Sequence, residues 1–173
     1  MYKNLKKKRV EPRLIRIGCK IKRVKRKMID VKSIYENDGW GWSDYQPMID
    51  AFGNVAVQVD DQDYQGDTRV LYDNNGKIGH LVFGWGSCSG CDALQACDDY
   101  EELQELCNEL ENDIKWFDNK KEALEWFKAH DWEGDYSWHQ EESRDFVKKA
   151  IAYLSEMESE QSDVQELEEN INS

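Results

Sequence analysis

The sequence predicts an α+β domain in which a three-stranded antiparallel meander packs against about three helices. Three observations lead there. Residues 54–83 hold three short strand-like runs separated by turn residues. Beyond residue 97 the apolar side chains instead recur at three- and four-residue spacing. A chain of 173 residues, 39% apolar and with seven tryptophans, also suits one domain with a real core.

Taken in order, Met28, Ile29, Val31, Ile34 and Tyr35 mark one or two helical turns, which Glu36-Asn37-Asp38-Gly39 breaks. Trp40-Gly41-Trp42 sets two indoles on one side of an extended chain, where they cap the core or stack on a base or sugar. Val55, Val57 and Val59 alternate strictly, which predicts a half-buried strand over 54–60. Asp60-Asp61-Gln62-Asp63 lacks the ligand spacing of a calcium loop and reads as a solvated turn. The second strand is expected over 67–73, and Asn74-Asn75-Gly76 is a hairpin signal because Asn and Gly accept positive φ. The third strand is Ile78–Phe83, with His80 facing away from Leu81 in a core or orienting role.

Helices follow. Leu103, Leu106, Cys107, Leu110 and Ile114 form one stripe along a helix from Asp98 to Ile114, with Asp98 and Asp99 at the positive end of its dipole. A second helix runs from Asn119, its N-cap, to His130, with Leu124 and Phe127 facing in. An aromatic linker, 131–139, leads to a third helix over Glu141–Met157 with Phe146, Ala150, Ile151 and Leu154 as its buried face.

Charge divides the chain. Residues 1–27 hold thirteen Lys or Arg and one Glu, while the rest hold ten Lys or Arg and thirty-five Asp or Glu, within a net charge of −13. The basic segment fits three readings: an arm that contacts nucleic acid, a tail that folds back on the acidic body, or a non-native extension ahead of a start at Met28. The expected organisation is a basic extension over 1–27, disordered or not native, a single domain over 28–157 and a disordered acidic tail over 158–173. No run approaches the roughly 20 apolar residues of a membrane span, and no apolar h-region follows the basic start. A soluble, cytoplasmic protein in a bacterial host cell is expected, with no membrane contact. Five cysteines, three of them within ten residues, suit reduced thiols or a metal site better than a disulfide framework.

Those three lie in Phe83-Gly84-Trp85-Gly86-Ser87-Cys88-Ser89-Gly90-Cys91-Asp92-Ala93-Leu94-Gln95-Ala96-Cys97. Cys88 and Cys91 have zinc-knuckle spacing, and a tetrahedral site draws its remaining ligands from Cys97, His139, Cys107 or His130. The same thiols suit a nucleophile, with His139 as base and Asp92 or Glu142 as orienter. The third reading is a tight turn whose small residues let the sheet meet the first helix. A different class of function rests on the acidic helix. Between Asp98 and Asp113 there are eight carboxylates and no Lys or Arg. Asp98/Glu102, Glu101/Glu105 and Glu105/Glu109 are like-charged neighbours four apart. Such a ridge rises ~6 Å per four residues, close to phosphate spacing, and suits a basic, nucleic-acid-binding cleft on a partner. Its plainer reading is a solvated face.

Two resemblances attach to these residues. Strand, Trp85, Cys88-Ser89-Gly90-Cys91 and then helix-like sequence resembles the active-site segment of thioredoxin-like proteins. That resemblance implies a nucleophilic first thiol. It departs from that fold in its prolines, since Pro12 and Pro47 both precede the cysteines, and in its meander. The segment 83–94, followed by Trp116-Phe117, Asp131-Trp132 and Ser137-Trp138-His139, resembles a group of small bacterial and phage proteins for which no activity can be carried over. This second resemblance covers roughly 66–155 and implies a mobile-element setting, in which small acidic proteins bind or inhibit host defence factors that handle nucleic acid. The leading expectation is therefore an acidic interaction protein with a basic partner bound through Glu101, Glu105, Glu109, Asp98 and Glu102. The alternative is a thiol- or zinc-dependent enzyme centred on Cys88 and Cys91.

Overall fold

A computed structural model describes residues 28–35, 42–132 and 140–171, with side chains as far as residue 156. Its centre is a hairpin. Strands β2 (Gly66–Asn74) and β3 (Lys77–Trp85) pair antiparallel from Gly66↔Trp85 to Asn74↔Lys77. Asn75 and Gly76 turn the chain with φ of 57° and 87°, the left-handed pair that a two-residue hairpin turn needs. The Gly76 amide donates to the Asp73 carboxylate at 2.7 Å and fixes the turn from beneath.

On either side of this hairpin the sheet gains one strand. β1 (Val55–Asp60) pairs with β2, and β4 (Lys115–Phe117) pairs with Ile78–His80 of β3, giving the antiparallel order β1-β2-β3-β4. The expected three strands are thus four. The fold class is α+β, with five helices among the described residues in place of about three. These are α1 (Val31–Ile34), α2 (Gln46–Phe52), α3 (Tyr100–Asp113), α4 (Lys120–Ala129) and α5 (Gln140–Ile171). Helix α2 went unread in the sequence. Pro47 sits in its first turn, where a missing amide hydrogen costs nothing. The last helix extends past Met157 to Ile171, so its backbone continues along the acidic tail. No helix among the described residues is long and apolar enough to cross a membrane.

Alternation along β2 and β3 divides the core in two. Val70, Tyr72, Leu81 and Phe83 face a cluster with Met48, Ile49 and Phe52 of α2 and Leu103, Cys107 and Leu110 of α3. Leu71 and Ile78 face the opposite cluster, built from Leu124 and Phe127 of α4 and Phe146, Ala150 and Leu154 of α5. The sheet is therefore a middle layer between two helical ones. His80 falls on the α4–α5 side as expected, with Trp126, Phe127, Trp132 and Phe146 ring centroids at 5.3 to 5.8 Å. Asn119 caps α4 as expected, its side chain accepting from the Glu122 amide at 2.9 Å.

Two expectations fail for identifiable reasons. Val55 pairs with Tyr72 and Val57 with Leu71, so one residue is bulged between them. The bulge flips the face: Val55 packs on the α2–α3 cluster, Val57 and Val59 on the other. The turn after β1 is also not simply solvated. Asp61 is 3% exposed and meets the fully buried Arg69 at 2.6 Å, while its other oxygen accepts from the Asp67 amide at 2.8 Å. A cation and a carboxylate tolerate this burial because each satisfies the other.

Candidate functional site

The strand β3 ends at Trp85, and the chain then folds into a loop held by its own aspartate. The buried Asp92 carboxylate accepts from the Gly86 amide at 2.8 Å through one oxygen and from the Gln95 amide at 2.8 Å through the other. The amides of Cys91 and Asp92 both donate to the Cys88 carbonyl, at 2.9 and 2.8 Å. Residue 86 must be glycine for this closure, since a Cβ there would lie 2.5 Å from the Cys91 carbonyl oxygen. The helix expected from Asp98 begins at Tyr100 behind the N-cap Asp99, and the chain between it and Cys91 is not helical. Asp92 takes the loop amides, and residues 93–96 are turns.

This closure brings two thiols together. Cys88 and Cys91 are exposed, with their sulfurs 3.1 Å apart, and the Cys91 sulfur also lies 3.3 Å from the Cys88 carbonyl. The hydrogen bond between the two sulfurs holds the Cys91 pKa below its ordinary value. Cys97 is not part of the pair. Its thiol donates to the Ala93 carbonyl at 3.3 Å, and burial, then the carboxylates of Glu102 and Asp92, push its pKa up. Cys107 lies in the α2–α3 core, where burial raises its thiol to about 11.

Of the expected metal set, Cys88 and Cys91 come together and Cys97 stays apart, while His139 lies outside the described residues. Among the described residues, no group of three or more His, Cys, Asp or Glu side chains is placed to hold a metal ion. His139, Trp40 and Trp138 lie outside the described residues. Both oxygens of Asp92 accept from loop amides, and the base it was expected to orient, His139, lies outside the described residues. Glu142 sits on α5, in the helical layer across the sheet from α3. His130 stacks on Trp126 with centroids 4.5 Å apart, far along the chain from the thiols and in the aromatic layer.

A polar cleft of about 230 Å³ opens beside the loop, lined by Asp44, Gln46, Gln58, Asp60, Trp85 and Asp92 among others. Its side chains brace one another: Gln58 donates to Asp60 and to Gln46, both at 3.0 Å, and the Thr68 hydroxyl donates to Asp60 at 2.6 Å. No spacing in the sequence signals this convergence, since its residues come from α2, β1, β2, β3 and the loop that follows.

Along α3, Leu103, Cys107 and Leu110 point into the core while Glu101, Glu105 and Glu109 are exposed. The three glutamate side chains carry no hydrogen bond or ion pair among the described residues. Asp98 and Glu102 differ from them. The Glu102 carboxylate accepts from the Asp98 amide at 2.7 Å, so Glu102 helps to close the helix start.

Set beside known proteins, the chain matches no family model, no curated protein and no solved structure.

Proposed function

We propose that this chain is a small acidic interaction protein whose α3 ridge binds a basic protein partner, at the surface which that partner uses to hold nucleic acid. The reading rests on one observation: Glu101, Glu105 and Glu109 stand exposed in a row and serve no contact within the described fold. Like charges four apart destabilise a helix by about 0.2–0.5 kcal/mol per pair, and nothing inside the described fold offsets that repulsion. Successive glutamates rise ~6 Å along the axis, which suits a groove built for phosphates. Host defence proteins that handle nucleic acid are the partner class that the mobile-element resemblance implies. Asp98 and Glu102 flank the ridge, with Glu102 acting first as a cap.

The test is the triple variant Glu101→Gln, Glu105→Gln, Glu109→Gln. Its thermal stability holds or rises slightly. Its recovery of a basic partner from host lysate falls at low salt, and the residual binding depends less on salt than that of the parent. Equal recovery of every partner at low and moderate salt would reduce the ridge to a solvated face. One observation favours a second, separate activity on the same chain, the 3.1 Å approach of Cys88 and Cys91.

A further inference from the structure

We propose that Cys88 and Cys91 are a redox pair that undergoes thiol–disulfide exchange with external disulfides and closes reversibly to an intramolecular Cys88–Cys91 disulfide. The activity is independent of the acidic ridge. Its basis is geometric. The sulfurs stand 3.1 Å apart, about 1 Å beyond a covalent S–S bond, so bond formation needs only a small side-chain movement. The backbone is already fixed for it, by the two amides that converge on the Cys88 carbonyl and by the Asp92 clamp on Gly86 and Gln95. Both thiols are exposed, so an incoming disulfide can reach them.

The other described thiols lack these conditions. Cys107 is fully buried, and Cys97 is half-buried with its proton given to Ala93. Cys91 is assigned as the attacking sulfur: the Cys88 sulfur stands 3.1 Å from it, and the hydrogen bond between the two favours the Cys91 thiolate. Zinc binding at Cys88 and Cys91 alone would leave two coordination positions unfilled by described residues.

The Cys91 thiolate attacks one sulfur of an external disulfide such as glutathione disulfide, and the distal sulfur leaves as a thiolate that takes up a proton. Cys88 then loses its proton and its sulfur attacks the Cys91 sulfur, expelling the second external thiol. Two thiols of the loop have lost two electrons and two protons, and the external disulfide has become two thiols. An external dithiol reverses the sequence.

The experiment uses the full chain, reduced and desalted, then equilibrated over a series of glutathione to glutathione disulfide ratios. Free thiols are trapped by alkylation and read by intact mass and peptide mapping. The expected result is the paired loss of two of the five thiols, a peptide that links Cys88 to Cys91, and Cys97 and Cys107 still alkylated. Cys88→Ser halts the exchange midway and retains one glutathione on Cys91. At pH 7 Cys91 of the reduced parent alkylates at least about tenfold faster than Cys107. Loop thiols that remain alkylated at every ratio would overturn the proposal, as would a disulfide from either one to Cys19 or Cys97. A Cys88→Ser chain that takes up no glutathione at Cys91 would overturn the assignment of Cys91 as the attacking sulfur.

Discussion

On one side of the sheet α3 exposes Glu101, Glu105 and Glu109, with no lysine or arginine between residues 98 and 113. On the other side α4 and α5 interleave Lys120, Lys121, Lys128, Lys148 and Lys149 with their carboxylates. Their pairs are visible: Lys149 meets Asp145 at 2.7 Å, and Lys120 meets Asp73 of the hairpin at 2.7 Å. Both layers bury an apolar stripe against the same sheet, so packing does not require one surface to be mixed and the other uniform. A mixed surface would keep α3 hydrated with less repulsion. Carboxylates in this chain therefore fall into two kinds. Some are bound into the fold, and those of the α3 ridge are left over from it.

That division can be broken at three places. The largest effect is expected at Asp61→Ala, which strands the buried Arg69 guanidinium without its closest carboxylate. Removing one partner of a buried pair costs about 3–5 kcal/mol, read as a fall in the urea midpoint. A loss below about 1 kcal/mol would mean that Arg69 finds other partners and that Asp61 is not bound into the fold.

Next comes Asp73. Burial disfavours its charge, but hydrogen bonds from Lys120, Tyr153 and the Gly76 amide outweigh that and hold its pKa below the ordinary 3.8. Burial likewise opposes the Lys120 charge, and Asp73 with Tyr153 more than offsets it, so the Lys120 pKa lies above 10.5. The lowered Asp73 contributes stability that is complete above the unfolded pKa of about 4 and is lost as pH falls through the folded one. The raised Lys120 contributes stability that is complete below about 10.5 and is lost as pH rises through its folded pKa. Asp73→Asn should therefore cost about 1–2 kcal/mol at pH 7. Denaturation curves for parent and variant should converge as pH falls through the folded Asp73 pKa, and draw together again as pH rises through that of Lys120. A gap that persists below the folded Asp73 pKa would show that the charge is not what holds this contact.

The smallest effect on folding belongs to the α3 ridge. Replacing Glu101, Glu105 and Glu109 with Gln should shift stability by no more than about 0.5 kcal/mol, upwards if at all, measured by thermal unfolding at low salt. A loss above about 1 kcal/mol would place the ridge among the structural carboxylates and remove the contrast.

Much of the fold was legible because it is local. Asn75-Gly76 announces its turn, Asn119 its cap, and the Leu103–Cys107–Leu110 stripe its helix, each within a few residues. β4 was not legible, since three residues are too few to show a period and their partners Ile78–His80 lie on the far side of α3. The bulge at Val55/Val57 hid behind a regular alternation that only pairing with β2 disrupts. Asp61 looked solvated because nothing near it in sequence reveals that Arg69 closes over it. Of the candidate site, the Cys88–Cys91 spacing was visible and the exclusion of Cys97 was not, because it depends on how Asp92 folds residues 93–96 into turns.

The hairpin turn also sets a timetable. Nine positions of β2 find their partners on β3 across a two-residue connection, whereas Ile78 meets Phe117 only after α3 has been laid down between them. Short closures sacrifice little chain entropy, and long ones must wait until other contacts compensate. The β2–β3 ribbon should accordingly be formed at the rate-limiting barrier, with β4 docking afterwards. Asn75→Ala strains a left-handed turn residue and should slow refolding severalfold while leaving the unfolding limb almost unchanged. Stopped-flow tryptophan fluorescence reads both limbs, and a variant that refolded at the parent's rate but unfolded faster would put the ribbon late in assembly.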